Sequence, residues 1–231
     1  MSALRHIPNA LTCGNLLCGC LGIVALFEQW PVATAYFVWA AIFFDYLDGF
    51  AARALKVTSP IGKELDSLAD MVSFGVLPSM LMFFLIRETT EQPWIPFAAF
   101  LLAVFSAMRL AMFNVDERQS HGFIGLPTPA NAMLITGLPF VGELLNFEWN
   151  LVGLLAVTVL FSWLMVSPIP LLALKFKHLG WKDNQLRFTL LIITVLLLAF
   201  LGPAANVLLI IMYLLLSLFG RWRGVEQVTP K

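Results

Sequence analysis

Long apolar runs are the feature that most limits how this chain can fold. Of its 231 residues, 60% are hydrophobic and 12% are charged, whereas soluble domains carry about 25% charged residues. Several runs stay apolar for about 20 residues, which is the length that a helix needs to cross a hydrocarbon core of roughly 30 Å. The short alternating segments typical of a transmembrane barrel do not occur. The chain is therefore predicted to be an all-α polytopic membrane protein.

Polar and proline-containing stretches divide the apolar sequence into about eight predicted transmembrane helices. In chain order, they cover residues 9–27, 32–55, 62–86, 94–115, 129–145, 149–166, 188–201 and 204–219. Proline and glycine mark several boundaries, because proline removes a backbone donor and interrupts a helix. The first helix is expected to be retained rather than cleaved as a signal peptide. We expect a single integral membrane domain over residues 1–231.

The positions of the basic residues predict the orientation in the membrane. Eight spans place both termini on the same side. All of the 14 Lys and Arg residues except Arg87 fall on that side. Cytoplasmic loops are enriched in Lys and Arg. Both termini are therefore predicted to face the cytoplasm, with the protein in the cell (inner) membrane.

Four aspartates lie close together in an otherwise mostly apolar region: Asp45, Asp48, Asp66 and Asp70. Within a helix, spacings of three and four residues place each pair on one face. A charge in a membrane span costs at least a few kcal/mol, so it marks a candidate functional site. Carboxylate oxygens are the ligands that hard divalent cations prefer. Two helices that each present such a pair are predicted to hold Mg²⁺ or Mn²⁺, although some of the aspartates could instead line a wet loop or pair with basic neighbours.

Small and basic residues are interleaved with the aspartates. Gly49 and Ala52 lie on the face of the first pair, and Gly62 precedes the second pair. Small residues let a backbone or a flat ligand approach closely, although ordinary helix packing explains any one of them. Arg53 is suited to phosphate contact, although an arginine at the end of a span also commonly reaches to the interface. Together these residues indicate a phosphoryl-transfer site with two metal ions, a basic clamp and a carboxylate base.

The same residues form a motif with fixed spacing, D-x2-D-G-x2-A-R-x8-G-x3-D-x3-D, over residues 45–70. This motif resembles the signature of the CDP-alcohol phosphatidyltransferase family. The resemblance implies a core of six helices, here about residues 1–185, followed by two additional C-terminal helices over about 186–220.

The resemblance also implies roles for individual residues. Asp45, Asp48, Asp66 and Asp70 look like the ligands of two ions, Mg²⁺ or Mn²⁺, and Asp70 also resembles the general base. The positions that match contacts to the CDP-activated lipid are Pro8, Asn9, Thr12, Gly49, Ala52, Arg53, Ser59 and Gly62. In the implied reaction, an alcohol attacks the lipid-linked phosphate and expels CMP, while the metal ions neutralise the diphosphate.

Residues beyond the motif bear on the acceptor alcohol. DSLADMVSFGVLP at 66–78, RLAMFN at 109–114 and GLPTPA at 125–130 resemble the branch of the family that uses serine. That branch implies CDP-diacylglycerol and L-serine as substrates, phosphatidylserine and CMP as products, and a homodimer surrounded by membrane lipids. The serine carboxylate should need a cation, so Arg109 and Asn114 are the candidate acceptor contacts. For Arg109, pairing with a carboxylate or a lipid headgroup is an equal alternative.

Two other functions stay open from the sequence. The same chemistry could use glycerol 3-phosphate, inositol phosphate or choline, although a phosphorylated acceptor should need more cations than Arg109 alone. An ion or proton transporter could also use an aspartate cluster, but transporters typically show broken helices near the midplane or paired repeats. Here the acidic residues gather towards one face and no repeat is visible. No nucleic-acid partner is predicted.

Overall fold

A computed structural model describes residues 6–57, 59–116, 123–171 and 185–222. Within these ranges, a helical segment occupies each of the eight predicted positions. The segments are α1 Ile7–Phe27, α2 Ala33–Leu55, α3 Pro60–Arg87, α4 Ile95–Val115, α5 Thr128–Leu145, α6 Leu151–Val166, α7 Gln185–Leu201 and α8 Ala205–Trp222. Seven of the basic residues that contributed to the predicted orientation lie outside the described ranges, namely Arg5, Arg118, Lys175, Lys177, Lys182, Arg223 and Lys231.

Five stretches of the described chain are long and apolar enough to cross a membrane. They are α1, α2, α3, α4 and Ile192–Leu218, which runs across α7 and α8. The helices α5 and α6 are shorter, with 18 and 16 residues. Gly202, at φ 54°, begins a short 3-10 turn between α7 and α8, as the Gly-Pro pair predicts. The predicted class, an all-α polytopic membrane protein, is confirmed.

The central helix of the fold is α3. Buried residues make up 61% of its apolar window, against 22–35% for the other four candidate spans. Its first turn begins with Ser59 as the N-cap, whose hydroxyl oxygen accepts a hydrogen bond from the Gly62 amide at 2.9 Å, and with Pro60 in the first turn. This cap begins the helix that carries the second aspartate pair.

A π-helical segment, Met71–Val76, interrupts α3 directly after Asp70. Pro78 follows this segment and lacks the amide N–H that a regular helix would direct to residue 74. This missing bond gives a physical reason for the wider turn. The sequence analysis predicted an uninterrupted helix here, so the π segment is an unexpected feature, of a kind that is frequent at functional sites.

Helix α1 packs closely against α3 because small residues line its inner face. A Cβ atom on Gly19 would lie 2.5 Å from the Ser73 Oγ and 2.9 Å from the Ser73 Cα. A Cβ atom on Gly22 would lie 2.6 Å from a methyl group of Leu77. Close approach through small residues is the usual way in which membrane helices pack. The register of α1 against the aspartate-bearing α3 is therefore fixed by contact along two turns.

A short antiparallel ladder joins the segment before α5 to the segment after α6. The two-residue strand β1, Phe123–Ile124, pairs with β2, Pro170–Leu171. Gly125 follows β1 at φ 82°, and a Cβ atom there would lie 2.5 Å from the Met165 carbonyl oxygen. Only glycine adopts this backbone conformation without strain.

Gly125→Ala is expected to destabilise the protein by about 2 kcal/mol or more, because it adds overlap with backbone to the strain of a left-handed conformation. Gly202→Ala is the matched control. Gly202 also has a positive φ, but apart from its own stretch of backbone no atom of the described residues lies within 4 Å of its added Cβ, so the free energy of unfolding should fall by only about 1 kcal/mol. Thermal unfolding in detergent compares the two. An equal shift in melting temperature would contradict the proposed clash.

Candidate active site

Three of the four aspartates converge between α2 and α3. One carboxylate oxygen each from Asp45, Asp48 and Asp66 lies within 4.8 Å of the others. Asp48 is 7% exposed, and the other two are half-buried. The Oδ1 atom of Asp66 is buried and has no hydrogen-bond partner among the described residues. An all-oxygen donor set with a buried, unsatisfied oxygen fits a hard divalent cation such as Mg²⁺ or Mn²⁺.

The fourth aspartate is held from a different helix. Asp70 lies one turn beyond Asp66 on α3, and its Oδ1 accepts a hydrogen bond from the Asn15 Nδ2 of α1 at 2.9 Å. It is not part of the group of three carboxylates that lie within 4.8 Å. A role of Asp70 as a metal ligand or as a base stays a prediction. The sequence analysis missed Asn15, although its position one turn after Thr12 on the same helix face was a usable signal.

A cavity of about 870 Å³ opens beside the carboxylates. It is lined by the start of α1, the end of α2 and the start of α3. The lining residues are Pro8, Asn9, Thr12, Asp48, Gly49, Ala52, Lys56, Val57, Ser59, Pro60, Gly62, Lys63 and Asp66. All residues predicted to contact the CDP-activated lipid are among them except Arg53. The structure thus brings the separate parts of the motif to one concave surface.

The two motif glycines have no side chain to project into this cavity. A Cβ atom on Gly62 would lie 3.0 Å from the Ser59 Oγ and 3.2 Å from the Asn9 Oδ1. A Cβ atom on Gly49 would lie 3.3 Å from a terminal nitrogen of Arg53. The Arg53 side chain is exposed and lies over the Gly49 backbone. The predicted clamp residue Arg53 therefore lies within the motif but outside the lining of the cavity.

Two lysines that the sequence analysis did not assign to the site also line the cavity. Lys56 ends α2 in a left-handed conformation, at φ 52°. Lys63 lies in the first turn of α3, and its Nζ donates a hydrogen bond to the Asn114 carbonyl oxygen at 2.8 Å. Both lysines flank the turn that joins the two halves of the motif. Their position beside this turn is the sequence feature that could have identified them as residues of the site.

Thr12 connects α1 to the carboxylate cluster. Its hydroxyl lies 2.5 Å from the Asp48 Oδ2 and 3.0 Å from the Pro8 carbonyl oxygen. A hydroxyl donates one proton, and the shorter, charge-assisted contact to Asp48 is the stronger of the two. This buried hydrogen bond orients one of the candidate metal ligands from outside α2 and α3.

The two candidate acceptor residues have different surroundings, and neither is among the residues that line the cavity. The Asn114 Nδ2 donates a hydrogen bond to the Ser67 Oγ at 2.7 Å, so it joins the end of α4 to α3 beside Asp66. Arg109 is 3% exposed, and its guanidinium lies 5.7 Å from the centre of the Phe113 ring. The Asp116 carboxylate and Tyr213 lie close enough to the Arg109 guanidinium to interact with it electrostatically. A contact of either residue with an acceptor stays a prediction.

Comparisons with known proteins agree with this arrangement. A family model described as CDP-alcohol phosphatidyltransferase matches residues 5–167. The CDP-diacylglycerol–serine O-phosphatidyltransferase of Bacillus subtilis is 36% identical over 179 residues, which cover 76% of this chain and 92% of the relative. A protein of the same name from Helicobacter pylori is 33% identical over 207 residues, or 88% of this chain and 85% of the relative. Another, from Methanocaldococcus jannaschii, is 34% identical over 163 residues, or 71% of this chain and 72% of the relative.

The matched region runs from the start of α1 to the end of α6 and contains the whole aspartate motif. The resemblance that the motif indicated is confirmed on this broader basis. The chain belongs to the CDP-alcohol phosphatidyltransferase family.

Proposed function

We propose that this protein is an enzyme that transfers a phosphatidyl group from CDP-diacylglycerol to the hydroxyl of L-serine, giving phosphatidylserine and CMP. The observation that carries the proposal is the cavity in which the aspartate cluster meets the glycines and lysines of the α2–α3 turn. The relatives described above, whose printed name is that of this activity, support serine as the acceptor.

The carboxylates of Asp45, Asp48 and Asp66 are the proposed ligands of the divalent ions, which we expect to be two ions of Mg²⁺ or Mn²⁺, with Asp70 as the predicted fourth ligand. When bound, the ions supply positive charge that neutralises the diphosphate and stabilises the departing CMP. The buried, unsatisfied Oδ1 of Asp66 supports this assignment.

The protein itself supplies further positive charge to the diphosphate. Lys56 and Lys63 line the cavity on either side of the α2–α3 turn. The start of α3 adds the positive end of a helix dipole. Gly49 and Gly62 present backbone without a side chain, so a phosphate can approach closely. Asn9 and Thr12 are the proposed contacts on the cytidine side.

The proposed chemical step needs one base. The serine Oγ loses its proton to Asp70 and forms a bond to the phosphorus that carries the diacylglycerol. The bond from that phosphorus to the CMP oxygen breaks, and its electron pair leaves with CMP. Asn15 already engages the Oδ1 of Asp70, so we assign the proton to Oδ2. The carboxylate lies one helical turn from Asp66, which lines the cavity.

We propose that the site opens to the cytoplasm and that both termini lie on that side of the inner membrane. The long apolar helices support a membrane location, and the basic residues of the sequence support the orientation. A lipid donor can then enter from the bilayer while a soluble alcohol enters from the cytoplasm. We also propose a homodimer, on the basis of the family resemblance.

A phosphorylated acceptor such as glycerol 3-phosphate is the second candidate. Lys56 and Lys63 raise the number of cations at the cavity above what the sequence analysis expected. Serine is the better supported acceptor. Both lysines line the same wall of the cavity as the motif residues predicted to bind the CDP group, so we assign their charge to the donor and not to a phosphate of the acceptor.

The acceptor is identified by offering purified protein, CDP-diacylglycerol and Mn²⁺ or Mg²⁺ together with serine, glycerol 3-phosphate, inositol phosphate or choline. We expect CMP release with serine, loss of release with EDTA, and recovery when Mn²⁺ is added back. CMP release with glycerol 3-phosphate but not with serine would overturn the acceptor. No release with any alcohol would overturn the enzyme itself.

Asp70→Asn is expected to lower kcat by about 10³-fold while CDP-diacylglycerol binding and folding persist, because the amide keeps the size but not the basicity of the carboxylate. Glu64→Gln is the matched control, since Glu64 is an exposed carboxylate on the same helix. It should leave kcat near that of the wild type. Steady-state kinetics and binding of CDP measure the difference, and near-normal turnover in Asp70→Asn would remove this residue as the base.

Lys56→Met should raise the KM for CDP-diacylglycerol by about 10-fold with little change in the KM for serine, because a charge-assisted contact to phosphate contributes about 1.5–3 kcal/mol. Methionine keeps the apolar stem, so packing is retained. Arg87→Met, an exposed cation at the far end of α3, serves as the control. A rise in the serine KM alone would instead place Lys56 on the acceptor side.

A further inference from the structure

Helix α1 carries a buried amide that contacts the proposed base. Asn15 has no exposed surface, and its Nδ2 donates a hydrogen bond to the Asp70 Oδ1 at 2.9 Å. The contact joins two helices that are far apart in the sequence. Asn15 lies outside the aspartate motif and does not line the cavity.

The position of this amide is fixed by the packing around it. One turn along the interface, the Ser73 Oγ donates a hydrogen bond to the Asn15 carbonyl oxygen at 2.9 Å. At the next turn, Gly19 lies so close to Ser73 that an added Cβ would overlap its Oγ. These contacts prevent α1 from sliding along α3. The amide is therefore presented to Asp70 from a rigid support, which is what precise orientation of a reacting group requires.

Packing alone does not explain an asparagine at this position. The Oδ1 of Asn15 is buried and has no hydrogen-bond partner among the described residues. A buried acceptor without a partner destabilises a fold, and leucine, which has a similar shape, would not introduce one at this position. The Nδ2 group of Asn15 does have a partner, because it donates its hydrogen bond to Asp70. Residues that break a local stability rule in this way are expected at functional sites.

We propose that Asn15 is a positioning residue for Asp70. By holding Oδ1, it fixes the plane of the carboxylate and directs Oδ2 towards the hydroxyl of the acceptor. Asn15 acts through Asp70 and touches neither substrate. This inference rests on the proposed function, because it takes Asp70 as the base of the transfer reaction.

The test combines two substitutions at Asn15 with a double-mutant cycle. Asn15→Leu removes the donor at constant shape, and Asn15→Ala removes it without the risk of overpacking. Each is measured alone and combined with Asp70→Asn. The measurements are kcat, the KM values for both substrates, Mn²⁺ binding by calorimetry, and thermal unfolding in detergent. The acceptor is whichever alcohol releases CMP with the wild-type protein, so an error in the acceptor does not affect the comparison.

Asn206→Leu is the matched control. Asn206 is also fully buried, and its Oδ1 accepts a hydrogen bond from the Trp39 Nε1 at 3.2 Å, while its Nδ2 has no hydrogen-bond partner in the described part of the chain. The same substitution there removes a helix-to-helix hydrogen bond away from the aspartates. It is expected to shift the melting temperature and to leave kcat within about threefold of the wild type.

We expect both Asn15 variants to lower kcat by about 100-fold, with both KM values and Mn²⁺ binding within about threefold of the wild type. In the Asp70→Asn background, the same changes should cause no further loss, because the residue through which Asn15 acts is already absent. A fully additive loss, a rise in KM without a fall in kcat, or a loss of Mn²⁺ binding would overturn the positioning role. Normal turnover in both variants, beside an active wild type, would overturn it without affecting the proposed function.

Discussion

Mutual repulsion of carboxylates inside a membrane protein is the constraint on which the rest of this structure depends. Three of them place oxygens within 4.8 Å of one another at the junction of α2 and α3. Such a cluster is unfavourable in an apolar surrounding unless positive charge lies nearby. Two lysines and the start of a helix provide positive charge at the same cavity. A divalent cation would supply the remaining charge, so the architecture of the site and its need for an ion have the same physical origin.

The cluster also requires support from a helix that carries no acidic residue. Helix α1 reaches Asp48 through Thr12 and Asp70 through Asn15. The contact to Asp70 depends on the close approach that Gly19 and Gly22 allow between α1 and α3, whereas the contact to Asp48 joins α1 to α2. Hydrogen bonds of this kind limit how far a carboxylate can rotate. The glycines of α1 thus influence the site from more than one turn away, because they set the distance over which the polar side chains must reach.

Much of the fold and part of the site were predictable from local sequence alone. Span lengths and the Gly-Pro break depend on composition and backbone chemistry within a short window, so α1 to α8 appeared where they were expected. Helical spacing within residues 45–70 predicted two pairs of aspartates, and the structure brings three of the four together. Lys56, Lys63 and Asn15 were missed because their roles depend on which helices meet. The π segment was missed because its wider turn depends on a proline beyond it, which helical periodicity does not reveal.

The same distinction between local and distant sequence applies to the two substrates. The wall of the cavity, which we propose binds the activated lipid, comes mostly from the end of α2 and the start of α3, which one short motif encodes. The acceptor candidates lie on α4, and each depends on a different partner: Asn114 contacts α3 through Ser67, whereas Arg109 lies against Phe113 and near Tyr213 of α8. If Arg109 and Asn114 contact the acceptor as predicted, the acceptor site depends on how α4 packs against α3, and it can change without a change in the aspartate motif. The aspartate motif alone then specifies only the chemistry.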